Sequence, residues 1–197
     1  YYNQYDTDPS YYEERDYVGL FGNVEGTHFK DLYVRGASYD GTSYTGRRVI
    51  GNNYVGGLVG HIKGGIIENC TFTSNYATTN ENYYGYNVCI VGQNYVGGLV
   101  GYAEGTQIIY DTSNSNMDSS DNIVNARIAG VNYVGGIVGK WDITNAAQFN
   151  NGNDLYFSAS GANIIVVSTG SYAGAIAGEL DASGCKDVFN LNARLFH

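Results

Sequence analysis

One seven-residue stretch constrains this chain more than any other, because the chain writes it repeatedly. Tyr54-Val55-Gly56-Gly57-Leu58-Val59-Gly60 returns as Tyr95-Val96-Gly97-Gly98-Leu99-Val100-Gly101 and as Tyr133-Val134-Gly135-Gly136-Ile137-Val138-Gly139. Two looser copies flank these: Tyr17-Val18-Gly19-Leu20-Phe21-Gly22 and Tyr172-Ala173-Gly174-Ala175-Ile176-Ala177-Gly178. The leading tyrosines stand at 17, 54, 95, 133 and 172, so the steps are 37, 41, 38 and 39 residues. A period of this size marks a repeat architecture, in which one unit buries its apolar face only against its neighbours.

Within each repeat the glycine motif reads as a short strand. A second apolar segment comes next: Thr27–Val34, Gly65–Thr73, Thr106–Thr112, Asn145–Phe149 and Cys185–Leu191. A third lies at Arg48–Ile50, Val88–Val91, Ile123–Ala129 and Ile164–Val167. These segments are short, rich in Val, Ile and Tyr, and bounded by Gly, Asn and Ser, which is strand grammar. No apolar 3.6-residue period runs long enough for a helix. The pattern predicts an all-β parallel solenoid of about five three-stranded coils, each strand lying on its equivalent one repeat away. At the usual strand spacing that is a rod about 24 Å long. Polar excursions at Ser74–Asn87, Ser113–Asp121 and Asn150–Gly161 are expected to leave from one corner, where insertions in repeat proteins gather. Residues 1–16 read as a Tyr-rich, acidic arm or cap, and 17–197 as the solenoid.

Composition narrows the partners. A formal charge of −9 disfavours nucleic acid and anionic membrane surfaces, both of which select Lys and Arg. The 28 glycines allow close backbone approach, and the 20 tyrosines suit strands and supply amphipathic area. Cys70, Cys89 and Cys185 are odd in number and lack metal spacing, so buried free thiols are the simplest reading. No apolar run reaches the ~20 residues that span a bilayer. With no initiator Met and no leader in view, the chain reads as a mature or excised piece.

The repeated heptapeptide resembles the GLUG motif, whose core is Gly-Leu-any-Gly. The resemblance extends into the residues just after each copy: Gly64-Gly65-Ile66-Ile67-Glu68-Asn69-Cys70, Gly105-Thr106-Gln107-Ile108, and Gly26-Thr27. It covers about residues 17–191, is strongest in the middle copies, and fades at Trp141–Phe149. It implies a right-handed parallel β-helix, a stalk or adhesive module of a secreted or surface-anchored bacterial protein. Filamentous-haemagglutinin-like adhesins and non-catalytic parts of IgA-cleaving metallopeptidases are such proteins. The right hand is implied by the resemblance and by the rule for parallel crossovers.

The repeat residues Tyr17, Gly19, Gly22, Tyr54, Gly56, Gly57, Gly60, Tyr95, Gly97, Gly98, Gly101, Tyr133, Gly135, Gly136, Gly139, Tyr172, Gly174 and Gly178 are expected to be structural. The five tyrosines should stack as a column. Gly135–Lys140 imitates a phosphate loop but continues with Trp141, where the P-loop requires Ser or Thr. His28, His61 and His197 lack metal spacing, and no Ser lies in a GxSxG elbow. The pairs Asp6/Asp8 and Asp118/Asp121 could serve as acid and base only in a carbohydrate-active β-helix, a weaker alternative. We therefore expect no catalytic residues and no cofactor. A structural calcium ion at Asp6–Asp8, Asp118–Asp121 or Asn151–Leu155 is weaker than ordinary turns there. Asn69-Cys70-Thr71 is a formal glycosylation sequon set within an expected strand. Tyr11, Tyr12, Tyr76, Tyr83, Tyr84 and Tyr86 form the candidate contact surface for a host or cell-surface protein or glycan. The alternative partner is the chain itself, polymerising end to end through open strand edges, with the arm completing its neighbour. Either role places the protein outside the cell, with no membrane insertion.

Overall fold

A computed structural model describes residues 15–36, 38–39, 44–45, 48–74, 89–109, 124–144, 165–183 and 185. These residues are all-β, with no helix among them and so none that could cross a membrane. Corresponding strands of successive repeats lie side by side in five sheets. Sheet I holds Asn53–Gly56, Asn94–Gly97, Asn132–Gly135 and Ala173–Gly174. Sheet II holds Phe21–Glu25, Val59–Lys63, Val100–Glu104, Val138–Asp142 and Ala177–Asp181. Sheet III holds His28–Lys30, Ile66–Glu68 and Gln107–Ile109, and sheet IV holds Tyr33–Arg35, Thr71–Thr73 and Val124–Asn125. Sheet V holds Val49–Ile50, Ile90–Val91, Arg127–Gly130 and Ile165–Ser168. Every pairing in these sheets is parallel. The antiparallel pair is Ser38–Tyr39 with Tyr44–Thr45.

The repeat is therefore cut more finely than three strands. The glycine motif is two strands, broken at Gly57-Leu58, and the second segment breaks again at Asn69-Cys70. The expected third strand Ile123–Ala129 divides at Ala126 between sheets IV and V. The excursions also depart from expectation, because they do not share a corner. Residues 75–88 intervene between sheets IV and V, whereas 110–123 intervene between sheets III and IV. The ends of the first of these are pinned together, since the Cys89 thiol donates to Ser74 Oγ at 2.8 Å. The second segments expected at Asn145–Phe149 and, beyond Cys185, at 186–191 lie outside the described residues, as do residues 1–14 of the arm.

All five sheets line one core. Val55, Val96 and Val134 from sheet I meet Val59, Val100 and Val138 from sheet II, Ile67 and Ile108 from III, Phe72 and Val124 from IV, and Ile90 and Ile128 from V. Like sits on like in register: Val59, Val100 and Val138 are direct neighbours along sheet II. One core position of sheet II departs widely from it. Ile62, Ala103, Trp141 and Leu180 are in register, so a small residue sits beside the largest one. Trp141 is fully buried and its indole N–H donates to Thr106 O at 3.0 Å.

The motif glycines serve packing and not turning. A Cβ at Gly97 would lie 1.9 Å from Val100 O and 2.7 Å from Gly139 N, and one at Gly135 would lie 1.8 Å from Val138 O. Gly19, Gly22, Gly56, Gly57, Gly60, Gly98, Gly101, Gly139, Gly174 and Gly178 likewise meet another atom below 3 Å. Backbones of adjacent strands and adjacent repeats thus approach more closely than any side chain permits. Gly64 is different: its φ is +65° but a Cβ there would touch nothing within 4 Å. Gly97→Ala is expected to cost upward of ~3 kcal/mol through backbone displacement. Gly64→Ala should cost ~1 kcal/mol, the strain of a left-handed alanine. Denaturant melts of the two variants check the order, and equal losses would refute the packing account.

Candidate functional site

The feature with the most chemistry is the outer face where sheets I and II meet. It is built on the leading tyrosine of each motif. Tyr17, Tyr54, Tyr95, Tyr133 and Tyr172 all have positive φ, between 55° and 63°. Bulky L-residues avoid this region at roughly 1–2 kcal/mol each. The kink survives because every repeat makes it, so the neighbours still bond: Tyr17 N donates to Asn53 O at 2.9 Å and Tyr133 N to Ser171 O at 3.0 Å. It also brings the rings together. Successive centroids are 4.7, 5.0, 4.8 and 4.9 Å apart, with planes within 12° of parallel. Each stack contributes roughly 0.5–1.5 kcal/mol beyond burial, which offsets the strain.

An asparagine column, not anticipated from the sequence, runs beside the rings. Asn94 Nδ2 donates to Asn53 Oδ1 at 2.7 Å, and Asn132 Nδ2 to Asn94 Oδ1 at 2.9 Å. Its signal is present all the same, because Asn precedes the tyrosine in all three full motifs. Asp16 and Ser171 hold the same place in the outer repeats. A second Asx pair marks the turn between sheets III and IV. Asp31 and Asn69 both have positive φ, and Asn69 Nδ2 donates to Asp31 Oδ1 at 3.2 Å. Asn69 is buried, so the sequon at Asn69-Cys70-Thr71 presents no accessible amide.

On sheet II the register aligns Asn23, His61, Tyr102, Lys140 and Glu179 as a third column. His61 and Tyr102 stack at 5.0 Å and lean against the tyrosine column, with Tyr102 5.7 Å from Tyr95. His61 Nδ1 lies 2.8 Å from Asn23 Oδ1, so the ring N–H is donated there. That leaves Nε2 as a buried lone pair without a hydrogen-bond partner, 3.8 Å from Glu104 Oε2. The Tyr102 hydroxyl donates to Asp142 Oδ2 at 2.5 Å. Lys140 sits 3.6 Å from Asp142 and 3.4 Å from Glu179, and 5.7 Å from the Tyr102 ring centre. Tyr102, Asp142, Lys140 and Glu179 are linked to one another. Burial and then the Asp142 bond push the Tyr102 phenol far above its ordinary range. Burial pulls on Lys140, but Asp142 and Glu179 together outweigh it and raise its pKa. Burial lowers His61 more than Glu104 raises it.

The other expected residues have plainer roles. Lys140, the end of the imitation phosphate loop, is an ion-paired strand residue. His28 and Lys30 both meet Glu68, at 2.9 and 2.7 Å, which lowers that carboxyl chiefly through the lysine bond. Cys70 and Cys89 are buried thiols, Cys70 pushed up to about 11 by burial, which suits inert packing residues. Among the described residues no three of His, Cys, Asp and Glu converge on a metal site. Tyr11, Tyr12, Tyr76, Tyr83, Tyr84, Tyr86, His197 and all three suggested calcium segments lie outside the described residues.

Two outcomes test this geometry. In an ordinary strand Gly is worse than Ala by roughly 0.5–1 kcal/mol. At position 95 the order should reverse, because Gly relieves the left-handed strain while neither keeps the stack. Thermal melts in which Tyr95→Ala is the more stable of the two would refute it. For His61 the folded pKa lies below the unfolded 6.5, so the unfolded chain binds the extra proton. Its stabilising contribution is present above pH 6.5 and is lost as pH falls below it. Urea midpoints between pH 7.5 and 5.5 should fall more in the wild type than in His61→Gln, and parallel curves would refute the assignment.

The family model for the GLUG motif matches residues 51–75. No curated protein and no solved structure matches the chain. The matched stretch takes one strand from each of sheets I to IV, with Tyr54, Gly56, Gly57 and Gly60 inside it. The chain carries a GLUG motif, which here is one four-strand section of the repeat.

Proposed function

We propose that the chain is a right-handed parallel β-helix acting as a non-enzymatic structural and adhesive module of an extracellular bacterial surface protein. The observation that carries this reading is the pairing of each strand with its own counterpart one repeat away, parallel in all five sheets around one core. Such stacking satisfies the ladder and buries like against like, and the right hand comes from the general rule for parallel crossovers. The chemistry of the outer face points the same way. Tyr102, Asp142, Lys140 and Glu179 hold each other, and the thiols of Cys70 and Cys89 are buried. They stiffen a stack instead of presenting a nucleophile or a base. Contact with a host protein or glycan then falls to the tyrosine-rich excursions, Tyr76, Tyr83, Tyr84 and Tyr86, with Tyr11 and Tyr12 of the arm. Tyrosines set in polar stretches of sequence suit such contacts.

Attachment of beads carrying the 197-residue chain to host cells and glycan-coated surfaces tests the adhesive role. Tyr83, Tyr84 and Tyr86 replaced together by Ala should lower attachment several-fold with an unchanged melting temperature. Equal attachment would remove those loops from the contact. A wild type that attaches to nothing would leave only a spacer.

A further inference from the structure

The inner part of the tyrosine column is a set of phenols held in repeated face contact. Tyr54, Tyr95 and Tyr133 each sit between residues that are direct strand partners. Asn53, Asn94 and Asn132 precede them, and Val55, Val96 and Val134 follow. All three make the same left-handed turn, with φ of 57°, 56° and 55°, so their side chains leave the backbone in one direction. The rings of Tyr54 and Tyr95 are 5.0 Å apart and 8° from parallel, and those of Tyr95 and Tyr133 are 4.8 Å apart and 12° from parallel. The three residues are half-buried, so solvent still reaches part of each.

Two phenols in this arrangement are placed for oxidative coupling. A one-electron oxidant takes an electron from each phenol, and each hydroxyl proton leaves to solvent. The two phenoxyl radicals join through the ring carbons next to their hydroxyls. Each joined carbon then gives up its hydrogen as a proton, and each ring oxygen takes one up, which restores both phenols. The pair has lost two electrons and two protons in all, which reduce one hydrogen peroxide to two waters. Coupling requires two rings that meet, and a fixed stack supplies that meeting as a high effective concentration. Rings already face to face need only tilt together at their hydroxyl-bearing ends. Tyr102 is placed differently, 26° from the plane of Tyr95 and with its hydroxyl donated to Asp142.

We propose that the tyrosine column is a modification site, at which a one-electron oxidant of the haem-peroxidase class joins Tyr54 to Tyr95, or Tyr95 to Tyr133, by a ring carbon–carbon bond. The bond staples neighbouring repeats covalently. The joined residues are 41 and 38 positions apart, so each staple closes a long loop in the unfolded chain. A cross-link over such a loop stabilises the fold by restricting the unfolded state, as a disulfide does. The inference rests on the stack geometry and is independent of the adhesive role.

Oxidation of the full 197-residue chain at low concentration tests it, with cross-linked peptides mapped by mass spectrometry. One sample receives a haem peroxidase and hydrogen peroxide. Two others, native and urea-unfolded, receive a light-driven ruthenium–persulfate oxidant, which works in urea. The peroxidase should yield monomers carrying Tyr54–Tyr95 or Tyr95–Tyr133 peptide pairs, lighter by two hydrogen atoms per bond. Under the light-driven oxidant those pairs should be several-fold more abundant in the native chain than in the unfolded one. The peroxidase-treated monomer should melt at a higher temperature than the untreated chain. A variant with Tyr54→Phe, Tyr95→Phe and Tyr133→Phe keeps the rings but has no phenols there, and its melting temperature should not rise on treatment. Absence of the column pairs after peroxidase treatment, equal abundance in native and unfolded chains, or an equal rise in the triple variant would each overturn the proposal.

Discussion

The structure depends on a backbone constraint that every repeat must meet identically. The leading tyrosine turns left-handed, φ near +57° in Tyr54 and +56° in Tyr95, and the chain passes through one valine into the glycine pair. Alone, such a kink in a strand breaks its ladder. Copied into each neighbour, it shifts every strand by the same amount and leaves the partners opposite one another, so Val55, Val96 and Val134 remain in register. The glycines after it are the complement of that kink. They let the strands close to distances at which Cβ atoms have no place. Strain at the tyrosine and small size at the glycine are thus two sides of one geometry, and the aromatic stack compensates for the strain.

Much of this was legible in the sequence, because repetition turns a local pattern into a spatial one. Once Tyr54, Tyr95 and Tyr133 are known to be equivalent, their stacking is a consequence of strand spacing alone. The finer division of the repeat was not legible. Residues 57–58 read as the middle of an apolar run, yet one strand ends at Gly56 and the next, in another sheet, begins at Val59. The position of the excursions was hidden for a different reason. Val124 comes after its excursion, whereas Phe72 precedes one, yet the two are partners in the same sheet. Sequence order alone does not reveal that an insertion has moved from one side of a strand to the other. Of the tyrosines proposed for contact, Tyr76, Tyr83, Tyr84 and Tyr86 fall in such an insertion, beyond the reach of repeat logic.

The polar columns differ from the core in how they are held together. Val on Val gains by area and tolerates any hydrophobe of similar volume. Asn on Asn needs a donor and an acceptor on every rung, and the sheet II column works by complementarity: His61 against Asn23, Lys140 against Glu179. Five different side chains occupy that third column, whereas the tyrosine column uses one. The stack is therefore uniform where geometry must be copied and varied where charge must be balanced. The His28–Glu68–Lys30 pairing on sheet III obeys the same logic across two repeats.

Trp141 carries a consequence for how such a chain can change over generations. Its indole lies in register with Ala103 on one side and Leu180 on the other, and its N–H is anchored on Thr106 of the preceding repeat. The near-identical motifs invite recombination out of phase, which would add or remove a whole repeat while keeping tyrosines and glycines aligned. A shuffled order could set Trp141 against Ile62, two bulky groups in a space now shared by a large one and a methyl. The repeats are alike in backbone but not interchangeable in volume, and their sequence along the stack is an inherited order that duplication alone cannot rearrange.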